Sequence, residues 1–253
     1  MSPWADGLVV LVIVFASGFV GLYLRNLLPP QHLQEDSIGV VRLCAGVIAT
    51  LAALVLGLLV ASAKANYDRV FNDVTHAAAS IVLLDRMLAQ YGPQTREARG
   101  LLRTAVASTI NSVFSKHGHG VADLDDPQRL AAAERLQAEV RQLNPENDAQ
   151  RMLKASALEL STEIMQTRLL VITQSGGSIP SALLIALVLW LAMMFAGFGL
   201  TTSKNPTVIV VLFLSALSLA GAVLMIEELN RPLEGLMKVS SAPLRYALAH
   251  LGE

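Results

Sequence analysis

Four stretches of this chain are apolar over the length that crosses a bilayer, and a fold of 253 residues must account for all four. An α-helix rises 1.5 Å per residue, so roughly 20 apolar residues cross a hydrocarbon core about 30 Å thick. The first stretch runs from Gly7 to about Leu28, with only Arg25 and Asn26 interrupting it near its end, and stops at Pro29-Pro30. The second runs from about Leu43 to Ala63, between Arg42 and Lys64. The third runs from Ile179 or Pro180 to Leu200. The fourth runs from Pro206 to Ile226, between Lys204 and the Glu227-Glu228 pair. Pro180 and Pro206 fall at helix starts, where a missing N–H costs nothing. Four such runs in one short chain exceed what a soluble core could cover, so they predict membrane spans.

Composition agrees. The chain is 53% hydrophobic and 15% charged, with a mean hydropathy of +0.52. Its net charge of −1 gives no basic signature for nucleic acid. Cys44 is its single cysteine and sits in an apolar run, so neither an intrachain disulfide nor a cysteine-based zinc site is available. The segment before the first run holds an acid, Asp6, and no lysine or arginine, unlike a cleaved secretory signal. A retained span is expected there.

The connections within each pair of spans are short, residues 29–41 and 201–205. The predicted fold is therefore all-α. It has four transmembrane helices arranged as two hairpins, with a soluble helical bundle between the second and third spans. The domains divide as 1–63, a first hairpin with spans at 7–28 and 43–63; 64–178, a cytoplasmic helical domain; 179–226, a second hairpin with spans at 179–200 and 206–226; and 227–253, a cytoplasmic tail. An even number of spans places both termini and the middle section on one side. Lys64, Arg69, Arg168, Arg231, Lys238 and Arg245 flank the membrane there, against Arg25, Arg42 and Lys204 opposite. The positive-inside rule then predicts an inner-membrane protein with a cytoplasmic middle section.

The second span carries the sharpest pattern. Ala45, Ala49, Ala53, Gly57 and Ala61 recur at four-residue spacing and form a small-residue ridge on one helix face. In lipid, such ridges let helix backbones approach closely. The partner of the ridge, within the chain or in another copy, is left open. No charged residue lies mid-span, which argues against an ion-coupled transporter but not against a passive pore.

Between Lys64 and Ser175 the chain is polar and helical. Val70, Val74, Ala77, Ile81, Leu84, Leu88 and Tyr91 alternate by four and three, a heptad seam that ends at Gly92-Pro93. A second helix reaches about Phe114, with Leu102, Val106, Thr109 and Val113 on one side. Asp126 is placed to cap a third helix opening at Pro127, with Ala133, Leu136, Val140 and Leu143 as its stripe. Asn144-Pro145 breaks it. A fourth helix over about 146–174 carries Leu153, Ala157, Leu160, Ile164 and Val171, and Ser175-Gly-Gly-Ser178 reads as a hinge. Residues 64–175 hold thirteen basic and thirteen acidic side chains, a balance that suits a solvated, self-associating domain.

Chemistry-bearing patterns are sparse. His117 and His119 flank Gly118 near Asp123, Asp125 and Asp126, but a loop of this kind preorganises no metal site. Glu159 and Glu163 share a helix face and read as solvated surface. There is no Walker loop, GxSxG elbow or HExxH, so neither an enzyme nor a cofactor is expected. After the fourth span, Pro232 ends the long helix, and Leu236, Val239 and Leu244 lie apolar among charges, as a segment that folds back would.

Five segments carry a family resemblance: GLLVASAKANYD over Gly57–Asp68, VLLDRMLAQYGP over Val82–Pro93, Ser178-Ile-Pro180 leading into the third span, ELNRPLEG over Glu228–Gly235 and SSAPLR over Ser240–Arg245. Over nearly its whole length the chain resembles a bestrophin-like family of bacterial multi-pass membrane proteins. More distantly it is similar to the bestrophins, pentameric anion channels whose second span lines the pore. Glu228, Pro232 and Gly235 match the bestrophin segment that follows the last span. This chain departs from the bestrophins in two places. Its second span has no aromatic residue, where bestrophins place bulky rings at the neck. Its stretch Leu236–Ser241 has no acid, where animal bestrophins carry a calcium-holding run. The resemblance implies a homo-oligomer in the lipid bilayer that passes small anions passively. Val55, Leu58, Leu59 or the small ridge would then face the pore, with Lys64 at its mouth. The competing expectation is a non-conducting assembly, scaffold or signalling protein acting through its cytoplasmic helices.

Overall fold

The computed structural model describes residues 3–29, 31, 34–115, 120–174 and 180–252, and among them all regular structure is helical. The helices are α1 (Pro3–Leu27), α2 (Glu35–Tyr91), α3 (Arg96–Val113), α4 (Val121–Leu124), α5 (Pro127–Gln142), α6 (Asp148–Gln174), α7 (Ser181–Thr201), α8 (Pro206–Asn230) and α9 (Ala242–His250). A 3-10 turn, Pro93–Thr95, lies between α2 and α3. Four helices are long and apolar enough to cross a membrane: α1, α2, α7 and α8.

The helices run past the apolar stretches that announce them. α2 begins at Glu35, not at the edge of its apolar run, so the connection expected over 29–41 is shorter. Glu35 and Asp36 occupy the first turn of α2, where carboxylates complement the helix dipole. α8 likewise continues through Glu227 and Glu228 to Asn230. Polar residues extend a helix that hydropathy alone would end. The loop with His117 and His119 and the Ser175–Ser178 hinge lie outside the described residues.

The chain divides into two compact units, Met1–Ala65 with Ser178–Asn230, and Asn66–Gly177 with Arg231–Glu253. In the first unit α1 packs against both α7 and α8, helices from the other end of the chain. Its buried face is Gly7, Val10, Val14, Gly18, Gly21 and Leu22, a three-and-four seam. The α1–α7 approach is closest at glycines: a Cβ added to Gly21 would overlap the Ala196 carbonyl, and one added to Gly199 would overlap the Gly18 carbonyl. On the α8 side, Phe15 meets Phe213 edge to face at 5.4 Å between centroids. α2 joins this unit near Gly197, where an added Cβ would touch Val41 at 3.7 Å and Ala45 at 3.8 Å.

The second unit has an apolar core of its own. Val70, Leu84, Leu88, Val113, Val140 and Ala247 are among its fully or nearly fully buried members. The heptad seam of α2 is buried apart from half-exposed Ala77, and Ala78 joins it. Asp126 caps α5 by accepting a hydrogen bond from the Gln128 N–H at 2.9 Å. At the other end of α5, Lys154 Nζ donates to the Arg141 and Leu143 carbonyls, both at 2.7 Å. The Thr95 hydroxyl and the Gln150 amide donate to the carbonyls of Leu88 and Tyr91, tying the 3-10 turn and α6 to the end of α2.

One charged pair is built into this core. Arg99 grips Asp85 with Nε to Oδ1 at 2.7 Å and Nη2 to Oδ2 at 2.8 Å, and the Gly252 N–H adds a third bond at 3.2 Å. The Asp85 side chain is 1% exposed. Burial opposes its charge. The Arg99 and Gly252 hydrogen bonds, with the charges of Arg99 and Arg86, outweigh burial and hold the carboxyl below its ordinary value. Asp85 thereby fastens α2, α3 and the chain's final residues together.

Candidate functional site: the outer face of the second span

The apolar part of α2 has two faces. Ala45, Ala52, Leu59 and Ala63 are buried within the first unit, spaced seven, seven and four apart. Away from them lie Leu43, Val47, Leu51, Leu54 and Leu58, all exposed. The predicted small-residue ridge crosses from one face to the other. Ala45 is buried and Ala49 half-buried, while Ala53, Gly57 and Ala61 are exposed. This drift follows from a strict four-residue spacing, which slides around a helix of 3.6 residues per turn. At Gly57 an added Cβ would meet nothing within 4 Å, and the same holds at Gly39 and Gly46.

The pore-facing candidates separate in the same way. Leu58 is 60% exposed, Val55 is half-buried and Lys64 is exposed, whereas Leu59 is 2% exposed and faces its own unit. No carboxylate or basic group interrupts this face between Leu43 and Ala63. It can pack against another helix or line an uncharged passage, but it can neither transfer protons nor coordinate a metal.

The tail residues fall in different units. Glu228 is 4% exposed in the last turn of α8. Pro232 and Gly235 share a compact turn in the second unit. There the Glu234 N–H reaches the Arg231 carbonyl at 3.0 Å, and the Val239 N–H closes on the Pro232 carbonyl at 2.8 Å. Gly235 has a φ of 73°, which L side chains rarely adopt, so a glycine is required there. Lys238 Nζ then donates to the Ser115 carbonyl at 3.3 Å, and Leu233, Val239 and Leu244 are buried in the core. The tail folds back as its apolar spacing suggests, although Leu236 is 73% exposed. No group of carboxylates, histidines or cysteines with metal-binding proximity occurs among the described residues.

Sequence reasoning looked for close helix approach on α2 and missed it on α1 and α7. The signal was present as Gly18 and Gly21 in the first span and Gly197 and Gly199 in the third. It was weaker because neither pair makes a long periodic ridge.

Comparison with known proteins gives a family and a fold. A family model described as "Bestrophin-like domain" matches residues 12–244. Two crystal structures of a bacterial bestrophin homologue from Klebsiella pneumoniae, carrying different mutations, have similar folds. One has a TM-score of 0.67 at 14% identity, covering 97% of each chain. The other has a TM-score of 0.56 at 16% identity, covering 96% of this chain and 97% of that one. A search of curated proteins finds no match.

Proposed function

The chain belongs to the bestrophin-like family of membrane proteins, and from that premise we propose that it is a passive anion channel formed by several copies around the second span. One observation carries the reading. The second span keeps a bare, small-residue outer face at Ala53, Gly57 and Ala61 while its other face is buried within the chain. Lipid contact rewards bulky aliphatic side chains no less than small ones, whereas helix–helix contact gains from small residues because backbones approach. A neighbouring copy supplies that contact. Leu58 and Val55 would then form an uncharged constriction, and Lys64 at its mouth would raise the local anion concentration.

In this reading the spans are two hairpins, 7–28 with 43–63 and 179–200 with 206–226. The termini, the helical domain of 64–178 and the tail of 227–253 are cytoplasmic at the inner membrane. The excess of Lys and Arg on that side supports the orientation. Glu228, Pro232 and Gly235 hold the end of the last span and the start of the tail in fixed conformations. The activity is non-enzymatic and uses no cofactor.

The second reading, a non-conducting scaffold, draws on exposed apolar side chains of the helical domain: Leu83 at 53%, Met152 at 72% and Tyr246 at 65%. The symmetry of the purified particle discriminates between the two. A ring with an axial passage is expected, and a monomer or a dimer without one contradicts the channel.

A further inference from the structure

The helical domain contains a cavity of about 510 Å³ that the channel reading does not use. This is within the size range of small-molecule sites. It lies among α2, α3, α5 and α6, and its walls are mainly apolar: Val74, Ile81, Leu102, Val106, Leu136 and Ile164. Three arginines, Arg129, Arg135 and Arg168, also line it, together with two carboxylates, Asp73 and Asp126.

A guanidinium has five N–H donors. Arg168 directs Nε to the Leu124 carbonyl at 3.1 Å and Nη2 to the carbonyls of Leu124 and Asp126, which leaves both hydrogens of Nη1 without an acceptor among the described residues. Arg129 directs Nη1 to the Thr109 hydroxyl at 3.3 Å and Nη2 to the Ser112 hydroxyl and the Ser108 carbonyl. Its Nε–H is sealed from solvent with no acceptor among the described residues. Every acceptor used by the two arginines is a neutral carbonyl or hydroxyl. Neither makes a carboxylate ion pair among the described residues. The pair is electrostatically uncomfortable: burial, then the charge of Arg129, lowers the Arg168 value, against the opposing pull of Asp125 and Asp126. Asp73, on the same wall, is pushed up by burial despite the charges of Arg69 and His76.

We propose that this cavity binds an organic carboxylate with an apolar body, of the fatty-acid kind, its head on Arg168 and Arg129 and its chain among the aliphatic walls. Charge and lining select together. An inorganic anion would leave the apolar walls unfilled, and a neutral alcohol would give Arg168 no charged acceptor. A carboxylate accepts from Nη1 of Arg168, with the charge of Arg129 on the same lining.

The test is calorimetric titration of the full chain in lipid nanodiscs with octanoate, with empty nanodiscs subtracted and octan-1-ol and phosphate as comparison probes. Saturable octanoate binding at one site per chain is expected. It should weaken about tenfold or more in Arg168→Gln, as loss of a charged hydrogen bond implies. Ala105→Phe fills the cavity from α3 while leaving both arginine side chains in the sequence, and should weaken binding comparably even if Arg168→Gln disturbs α6. Absence of saturable octanoate binding, unchanged affinity in Ala105→Phe, or equal binding of octan-1-ol or phosphate would overturn the proposal.

Discussion

Individual residues here do two distinct jobs, close approach and charge burial. Gly21 faces the backbone of α7 with no room for a methyl group. Gly21→Val should therefore separate α1 from α7 and cost about 1–3 kcal/mol, as overpacking does. A lowered melting temperature of the detergent-solubilised chain checks this, with Gly46→Val, where an added Cβ meets nothing, as the neutral comparison. Asp85 does the second job. Asp85→Ala removes the carboxylate that Arg99, itself 22% exposed, grips, and should cost about 1–3 kcal/mol. The sign with pH follows from a folded-state value held below the unfolded one. The Asp85 contribution is complete above the ordinary carboxylate value and is lost as the pH falls through the folded one. Denaturant titrations between neutral and acid pH should show an acid-induced loss in the wild type that is smaller in Asp85→Asn. Equal acid sensitivity in the two would rule out this role.

At the scale of elements, helix existence was legible and helix packing was not. Periodicity placed the seam of α2, Leu136 and Val140 of α5, and the stripe of α3 except that Ile110 rather than Thr109 is buried, while cap chemistry placed Asp126. Removing that cap, Asp126→Ala, should cost about 1 kcal/mol, measured as the same shift in melting. The single turn α4 was missed, since four residues carry no periodic signal. The start of α2 was placed too late because hydropathy cannot see a helix continuing through Glu35 and Asp36. The choice of partners was invisible for a deeper reason. In lipid, apolar side chains do not report which face is inward, so Ala45 and Gly57 look alike in sequence while one is buried and the other bare. That difference gives a paired prediction. Ala52→Leu, on the buried face, should lower the stability of the chain itself. Gly57→Leu, on the bare face, should leave that stability unchanged but reduce the mass of the particle in detergent, read by light scattering. An undiminished particle in Gly57→Leu would count against contact between copies at the ridge.

At the scale of the whole molecule, the family match and the helical fold of the described residues make this a bestrophin-like membrane protein whose chain divides into two compact units, one of them bearing the apolar spans. Departures from the bestrophin pattern matter most here. In the proposed channel, a second span without rings would leave Leu58 and Val55 as a constriction softer than an aromatic neck, and a tail without acids between Leu236 and Ser241 would give calcium no carboxylates to hold there. Conduction should accordingly be insensitive to calcium chelation, and a current that vanishes on adding chelator would contradict this. The central claim, a passive anion pathway along the second span, is tested most directly by the reversal potential of the purified chain in a planar bilayer under a potassium chloride gradient. A current reversing near the chloride equilibrium potential and diminished by Lys64→Glu is expected. A ring-shaped particle that passes no current, or one whose current reverses at the potassium potential, would contradict it.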